Sequence, residues 1–174
     1  MKEKIFSIRA DDFTIVDTMG TPYFKCDAKL NSLRKKKFIT DIYKMPIYTI
    51  TQEVLSLRGR FKFLYGDTEK VIGSVDPIRT FGNLYSVNFF NLAINRNDYL
   101  ELACDYKGNR CGIFHGEAEK GAPLICRMTK RHDAKNAFLD LQNYDVEIAP
   151  NVDAAFMVGL SIVFDEIKND KNKK

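Results

Sequence analysis

The segment 151–167, NVDAAFMVGLSIVFDEI, constrains the fold of this chain more than any other stretch. Residues 154–164 form an unbroken apolar run in which only Gly159 and Ser161 are weaker members. As a helix, this run is about 16 Å long, roughly half the thickness of a hydrocarbon core, whereas a bilayer span needs about 20 apolar residues. The segment is therefore too short for a transmembrane span.

The flanking residues favour a helix over 151–167. Asn151 is a favoured N-cap residue, and Asp153 lies in the first turn, where the helix dipole favours a negative charge. A surface helix carries a polar face, and this one is apolar all round, which indicates a position in the protein interior. The sequence predicts a sheet wrapped around a central C-terminal helix, with Gly159 and Ser161 at points of close approach.

Most of the preceding chain alternates apolar and polar residues, the period-two pattern of strands with one buried face. In 144–148, for example, the first, third and fifth residues are apolar or aromatic. Turns that begin at Asp17, Asp41 and Asp105 lead into further strand-like runs. Together with the enclosed helix, this pattern predicts a mainly β protein, a closed antiparallel β-barrel of about twelve strands.

Composition and charge agree with one globular domain. The chain has 174 residues, 45% hydrophobic and 29% charged, with a formal net charge of +4. This charge is too small to indicate a nucleic-acid-binding protein. We expect a barrel domain over 1–167 with its helix at 151–167, and a polar tail at 168–174. The first residues do not form a secretory signal, so a cytoplasmic protein is predicted.

The four cysteines, Cys26, Cys104, Cys111 and Cys126, fit a reducing compartment, where thiols usually stay unpaired. We therefore expect no disulfide. In the strand pattern, all but Cys111 are predicted to be small side chains that point inward and make room for the helix.

Three stretches carry a resemblance to a known family: YDVEIAPNVDAAFMVGLSIVFDEI, FTIVDTMGTPYFKCDAKLNSL and VLSLRGRFKFLYGD. They resemble the LURP-one-related family of the tubby-like group, which also includes phospholipid scramblases. The resemblance runs from Ile5 to Ile167 and implies a barrel around a C-terminal hydrophobic helix. The chain departs from the family at Lys44, where a Gly is usual, and at Phe61, often a Trp. Plant members are tied to defence, which implies a signalling or scaffold role.

No catalytic motif is evident, and we predict a non-enzymatic protein without cofactor or metal. His115 and Glu117, followed by Pro123 and Cys126, superficially match a zinc-deaminase pattern. However, Leu124 stands where a ligand Cys is needed, and a zinc site requires three or four ligands. Gly-rich phosphate-binding loops are also missing from the sequence.

Arg34, Lys35, Lys36 and Lys37 are the predicted lipid-binding residues. They lie at a loop or strand start between two predicted strands, and each basic residue near an anionic membrane contributes about 1 kcal/mol of attraction. The alternative is a solvated loop, the usual role of a charge run. A second basic cluster comprises Arg127, Lys130, Arg131 and Lys135.

Three functional hypotheses follow. The first is a cytoplasmic scaffold, peripheral at the membrane, that binds an anionic phospholipid, a phosphoinositide or a protein partner. The second is a scramblase-like lipid-handling protein, which requires the terminal helix to leave the barrel and is disfavoured by the helix length. The third is a transcription or nucleic-acid-associated factor; the sequence offers no base-reading helix or stacking platform, so nucleic acid is not expected as a partner.

Overall fold

The structure, a computed structural model, describes residues 4–8, 14–29, 36–53, 59–78, 83–105, 109–130 and 144–172. These residues form twelve strands, a short 3₁₀ helix and one α-helix. The elements are β1 (Lys4–Ile8), β2 (Thr14–Asp17), β3 (Pro22–Lys29), β4 (Lys36–Asp41), β5 (Pro46–Gln52), β6 (Phe61–Tyr65), β7 (Val71–Pro77), β8 (Leu84–Asn91), β9 (Arg96–Cys104), β10 (Arg110–Phe114), the 3₁₀ helix Ala118–Lys120, β11 (Leu124–Lys130), β12 (Tyr144–Ile148) and α1 (Ala154–Asn172).

The strands form one antiparallel meander. Each strand pairs with the next along the chain, and β1 pairs both with β2 and with β12. In the pairing of β1 with β12, Lys4 lies opposite Ile148 and Ile8 opposite Tyr144. The prediction of a mainly β, antiparallel protein with one C-terminal helix packed against the sheet is confirmed.

Because the strands run alternately up and down, their connections fall at two opposite ends of the sheet. We call one the hairpin end. It carries the turns 18–21, 42–45, 66–70, 92–95 and 115–123, and the segment 149–153 that leads into α1. The opposite end, the loop end, carries the strand ends that the segments 9–13, 30–35, 53–60, 78–83, 105–109 and 131–143 connect.

Of the three predicted Asp-headed turns, those of Asp17 and Asp41 lie at the hairpin end, and that of Asp105 lies at the loop end, where its carboxylate accepts the Asn109 N–H at 2.7 Å. The Asp17 carboxylate accepts hydrogen bonds from the backbone N–H groups of Met19 and Thr21, at 2.9 and 2.8 Å. Asp41 makes the same two bonds in the following hairpin. In that hairpin Lys44 has a φ of 66°, a left-handed conformation that favours Gly.

The first half of α1 fills the concave face of the sheet. Every residue from 155 to 164 is buried. The Phe156 ring lies 4.8 to 5.7 Å, centroid to centroid, from the rings of Phe89, Phe63 and Tyr48. A Cβ atom at Gly159 would lie 2.6 Å from a Phe63 ring carbon, so the predicted close approach at this glycine is confirmed.

Both predicted helix ends need correction. Asn151 is not the N-cap, because its φ of 65° places it in a left-handed turn. The cap is Asp153, whose side chain accepts the Phe156 N–H at 3.1 Å. At the other end α1 continues to Asn172, past the predicted boundary at 167. The expected polar tail is thus helical as far as this residue.

The expectation of unpaired cysteines is wrong for one pair. Cys104 and Cys111 lie directly opposite each other on β9 and β10, with Cα atoms 4.0 Å apart, and they form a disulfide. Cys26 and Cys126 are free and buried, as predicted. Burial raises the pKa of both thiols to about 12, so both are protonated and poor nucleophiles at neutral pH.

Candidate functional site

A cavity of about 210 Å³ opens at the hairpin end beside the first turn of α1. Its apolar lining comes from β7, β9, β11 and α1: Ile72, Leu100, Ile125, Phe156 and Met157. Leu100 faces the helix through the regular alternation of β9, whereas Ile72 and Ile125 are the extra residues of β-bulges in β7 and β11. The turn between β8 and β9 borders the cavity, and polar side chains line its rim.

Asp98 is the most heavily hydrogen-bonded group of the rim. One carboxylate oxygen lies 3.0 Å from His115 Nε2 and accepts the Tyr99 N–H at 2.9 Å, and the other accepts the Asn91 side-chain amide at 3.2 Å. Burial raises the pKa of Asp98, but the bonds from His115, Asn91 and Tyr99 outweigh it and the pKa is lowered overall. Asp98 therefore carries a negative charge at neutral pH.

Asp153 brings a second carboxylate to the rim. Besides capping α1, it accepts a hydrogen bond of 2.6 Å from the Tyr48 hydroxyl. Burial, together with this bond to the carboxylate, raises the pKa of Tyr48, so the phenol stays protonated as a donor. The rim groups are thus held as hydrogen-bond partners of one another, and none is placed as a nucleophile beside a general base. The arrangement suits binding: an apolar floor below a negatively charged rim.

Exposed apolar side chains are concentrated at the same end of the sheet as this cavity, and two of them, Phe90 and Leu92, line it. Among the described residues, every exposed large apolar side chain except Ile78 lies at the hairpin end. Isolated exposed apolar residues are normal, but a concentration at one end marks an interaction surface. We call this set the apolar collar: Met19, Tyr23, Ile42, Tyr43, Met45, Tyr65, Val71, Phe90, Leu92, Ile94 and Leu124.

The hairpin end is also acidic. In its turns and the three strand residues next to each of them, nine carboxylates stand against four basic side chains. The acidic residues are Asp17, Asp41, Asp67, Glu69, Asp98, Glu117, Glu119, Glu147 and Asp153, and the basic residues are Lys44, Lys70, Arg96 and Lys120. This end therefore attracts cationic partners and repels anionic ones.

The predicted lipid-binding cluster falls partly outside the described residues, which exclude Arg34 and Lys35. Lys36 begins β4 on the sheet surface and pairs with Glu69 at 2.9 Å. Lys37 is buried and pairs at 2.5 Å with Glu166 of α1. Its charge is thus already compensated inside the protein, which leaves the lipid-binding role of the cluster as a prediction.

The second basic cluster reaches the loop end at the end of β11. The pKa of Lys168 in α1 is lowered by burial and by the positive charge of Lys130, which lies beside it. Arg127 pairs with Glu147 at 3.4 Å. Arg131 and Lys135 lie outside the described residues.

The deaminase-like pattern does not assemble. His115 pairs with Asp98, Glu117 pairs with Lys120 at 2.7 Å, and the Cys126 thiol is buried. Within the described ranges, no group of three potential metal ligands is present. No helix in the described part of the chain is long and apolar enough to cross a membrane.

Comparison with known proteins relates the whole chain to one family. The model of the family described as LURP-one-related matches residues 1–165. Protein LURP-one-related 10 of Arabidopsis thaliana is 24% identical over 98% of this chain and 89% of its own length. Protein LURP1 of the same plant is 20% identical over 95% and 81%. An X-ray structure of an Arabidopsis thaliana protein superposes with a TM-score of 0.68 at 19% identity, over 95% of this chain and 91% of that one.

Proposed function

The chain belongs to the LURP-one-related family, and we propose that it is a non-enzymatic interaction module whose loop end attaches to an anionic membrane surface containing phosphoinositides. In this proposal the sheet is a closed barrel that acts as a rigid scaffold, which the pairing of β1 with both β2 and β12 supports. Attachment is peripheral and takes place on the cytoplasmic side. Reversible attachment of this kind serves a signalling or defence role.

One observation supports the proposal: the described strand ends that flank the two basic stretches of the sequence lie at the same end of the sheet. The segment 30–35 joins β3 to β4 and the segment 131–143 joins β11 to β12, and all four strand ends lie at the loop end. Sequence alone does not show that the two clusters share a surface. Each Lys or Arg near an anionic bilayer contributes about 1 kcal/mol, so clusters at one end add their attractions.

Taken together, the segments that join strands at the loop end have the same bias. Nine basic residues stand against six acidic ones in the sequence of these segments. The basic residues are Arg9, Arg34, Lys35, Arg58, Arg60, Arg79, Lys107, Arg131 and Lys135, and the acidic residues are Asp11, Asp12, Glu53, Asp105, Asp133 and Asp140. Lys37 is left out of the binding set because it is buried with its partner Glu166, whereas Lys36 stays in the set because its partner Glu69 is exposed.

The test is co-sedimentation with phosphatidylcholine vesicles that contain a phosphoinositide, at low salt. We expect the variant Arg34→Ala/Lys35→Ala/Lys36→Ala to bind at least about tenfold more weakly than the unaltered chain. Adding Arg131→Ala/Lys135→Ala should weaken the binding further. Raising the salt concentration should weaken binding of the unaltered chain too, because salt screens the attraction.

The matched control removes the same number of charges from the opposite end. Lys44→Ala/Lys70→Ala/Lys120→Ala changes three exposed lysines of the hairpin end. It should leave vesicle binding close to that of the unaltered chain. If the control and the loop-end variant bind equally well, attachment through the loop end is wrong.

A further inference from the structure

We propose that the cavity and the apolar collar of the hairpin end form a docking surface for a basic, apolar polypeptide segment of a partner protein. The cavity takes one large apolar side chain of the partner, and basic side chains on either side of it face the acidic rim. This surface lies at the end of the sheet opposite to the proposed membrane attachment, and it is independent of that proposal.

The size of the cavity indicates an anchor residue. Pockets that enclose a whole small ligand commonly measure about 300–1,000 Å³, and this one measures about 210 Å³. Its floor of Ile72, Leu100 and Phe156 offers no hydrogen-bonding group. A space of this size and chemistry suits a single Leu, Phe or Met side chain.

The collar indicates that the occupant extends beyond the cavity. Phe90 and Leu92 line the cavity and are also exposed, at 38% and 54%. Ile94, in the same turn, is 48% exposed. A small molecule held in the cavity would leave these side chains in water, whereas a polypeptide that crosses the turn would cover them. Apolar anchors surrounded by polar contacts are the usual arrangement of such interfaces.

Charge decides between a polypeptide and a bilayer. An anionic bilayer presents its phosphate groups to whichever end approaches it, and the hairpin end carries an excess of carboxylates. At the mouth of the cavity, Asp98 and Asp153 provide two of them. A segment rich in Lys and Arg meets complementary charge here, which speeds association and selects the partner.

The probe is an array of short fluorescent peptides in which one Leu, Phe or Trp is flanked by lysines and arginines. Two matched arrays replace the basic residues by Glu or the apolar residue by Ser. Binding is measured by fluorescence anisotropy at low salt and without lipid. We expect members of the basic, apolar array to bind at least about tenfold more tightly than their counterparts in either matched array, with an affinity that falls as salt rises.

Two variants locate the binding. Leu92→Ser/Ile94→Ser removes apolar surface of the turn, and Ala93→Trp fills the mouth of the cavity. Each should weaken peptide binding about tenfold or more. The control Ile78→Ser changes an exposed apolar side chain at the loop end and should have no effect. Thermal unfolding at an unchanged temperature shows that each variant is folded.

Equal binding of the three arrays would overturn the proposal, and so would peptide binding that neither hairpin-end variant alters. If Leu92→Ser/Ile94→Ser instead abolishes binding to phosphoinositide vesicles, the surface is a membrane contact and the proposal is also wrong. The peptide assay contains no lipid, so its failure leaves the loop-end attachment to be judged by its own experiment.

Discussion

The two ends of the sheet differ in charge and in exposed side chains. The hairpin end has carboxylates in excess, the apolar collar and a cavity, whereas the segments at the loop end have basic residues in excess. Alternate connections of an antiparallel meander always fall at opposite ends. A chain of this kind can therefore present two unlike surfaces, simply by placing different residues in alternate connections.

The same contrast continues inside the sheet, along α1. The start of the helix packs into the aromatic cluster of Phe156, Phe63, Phe89 and Tyr48. Its last turns meet charged residues instead, including the pair of Lys37 with Glu166. The hairpin end of the core thus has a cluster of four rings, whereas the loop end combines one ring pair, Tyr144 with Phe164, with a mostly buried ion pair.

The largest expected effect is on the aromatic cluster. Phe156→Ala should lower the free energy of unfolding by about 3–5 kcal/mol, because it removes a large buried ring and leaves a cavity among three others. Ile167→Ala, at the loop end of the helix, should cost only about 2 kcal/mol. Urea unfolding measures both. Equal losses would show that the two ends of the core do not differ in this way.

The next effect contrasts two neighbouring lysines. Lys37→Met should cost about 2–3 kcal/mol, because it leaves Glu166 charged and mostly buried without its partner. Lys36→Ala should cost less than about 1 kcal/mol, since it leaves behind a Glu69 carboxylate that is largely exposed to water. The double variant Lys37→Met/Glu166→Gln should recover much of the loss in urea unfolding. If the double variant recovers none of the lost stability, the ion pair with Glu166 does not explain how Lys37 stabilises the fold.

The smallest expected effect is on the pH dependence of stability, through Asp165 at the loop end. Burial raises the pKa of Asp165, although a hydrogen bond from Tyr144 and the charge of Lys37 oppose it. A carboxyl group whose pKa is raised on folding binds its proton more tightly in the folded state, so it lowers stability as the pH rises from the ordinary carboxyl range through its folded pKa. Asp165→Asn should therefore raise stability at pH 7, with a gain that shrinks as the pH falls towards the ordinary carboxyl range.

Asp67→Asn is the control for this effect, because Asp67 is an exposed carboxylate at the hairpin end. It should change stability little at either pH. Urea unfolding of both variants at neutral and acidic pH gives the comparison. A loss of stability at pH 7 in Asp165→Asn would mean that the ionised carboxylate is stabilising and that its burial is fully compensated.

The sequence predicts the central features of the fold because they depend on local patterns. An apolar run between acidic residues identifies the buried helix, and alternation identifies the strands. The burial of Lys37 could also be predicted, because Lys37 lies two residues before buried Ile39 and therefore on the same face of β4. Its partner Glu166 could not be predicted, because the pairing depends on how α1 sits in the sheet.

Other features depend on geometry that the sequence does not encode locally. Asn151 and Asp153 are both good N-cap residues, and only the left-handed conformation of Asn151 decides between them. The Cys104–Cys111 disulfide requires the register of β9 and β10. The cavity likewise combines residues from distant segments, such as Tyr48 and Asp98, whose proximity follows from the strand order.

The most direct test of the account asks which end faces a membrane. The chain has no Trp, so a single Trp reports on one place: Tyr43→Trp at the hairpin end, or Ile78→Trp at the loop end. Each variant is mixed with phosphoinositide vesicles in which lipid headgroups carry a nitroxide quencher. Attachment through the loop end predicts quenching of Trp fluorescence in Ile78→Trp and none in Tyr43→Trp, and quenching in Tyr43→Trp alone would contradict it.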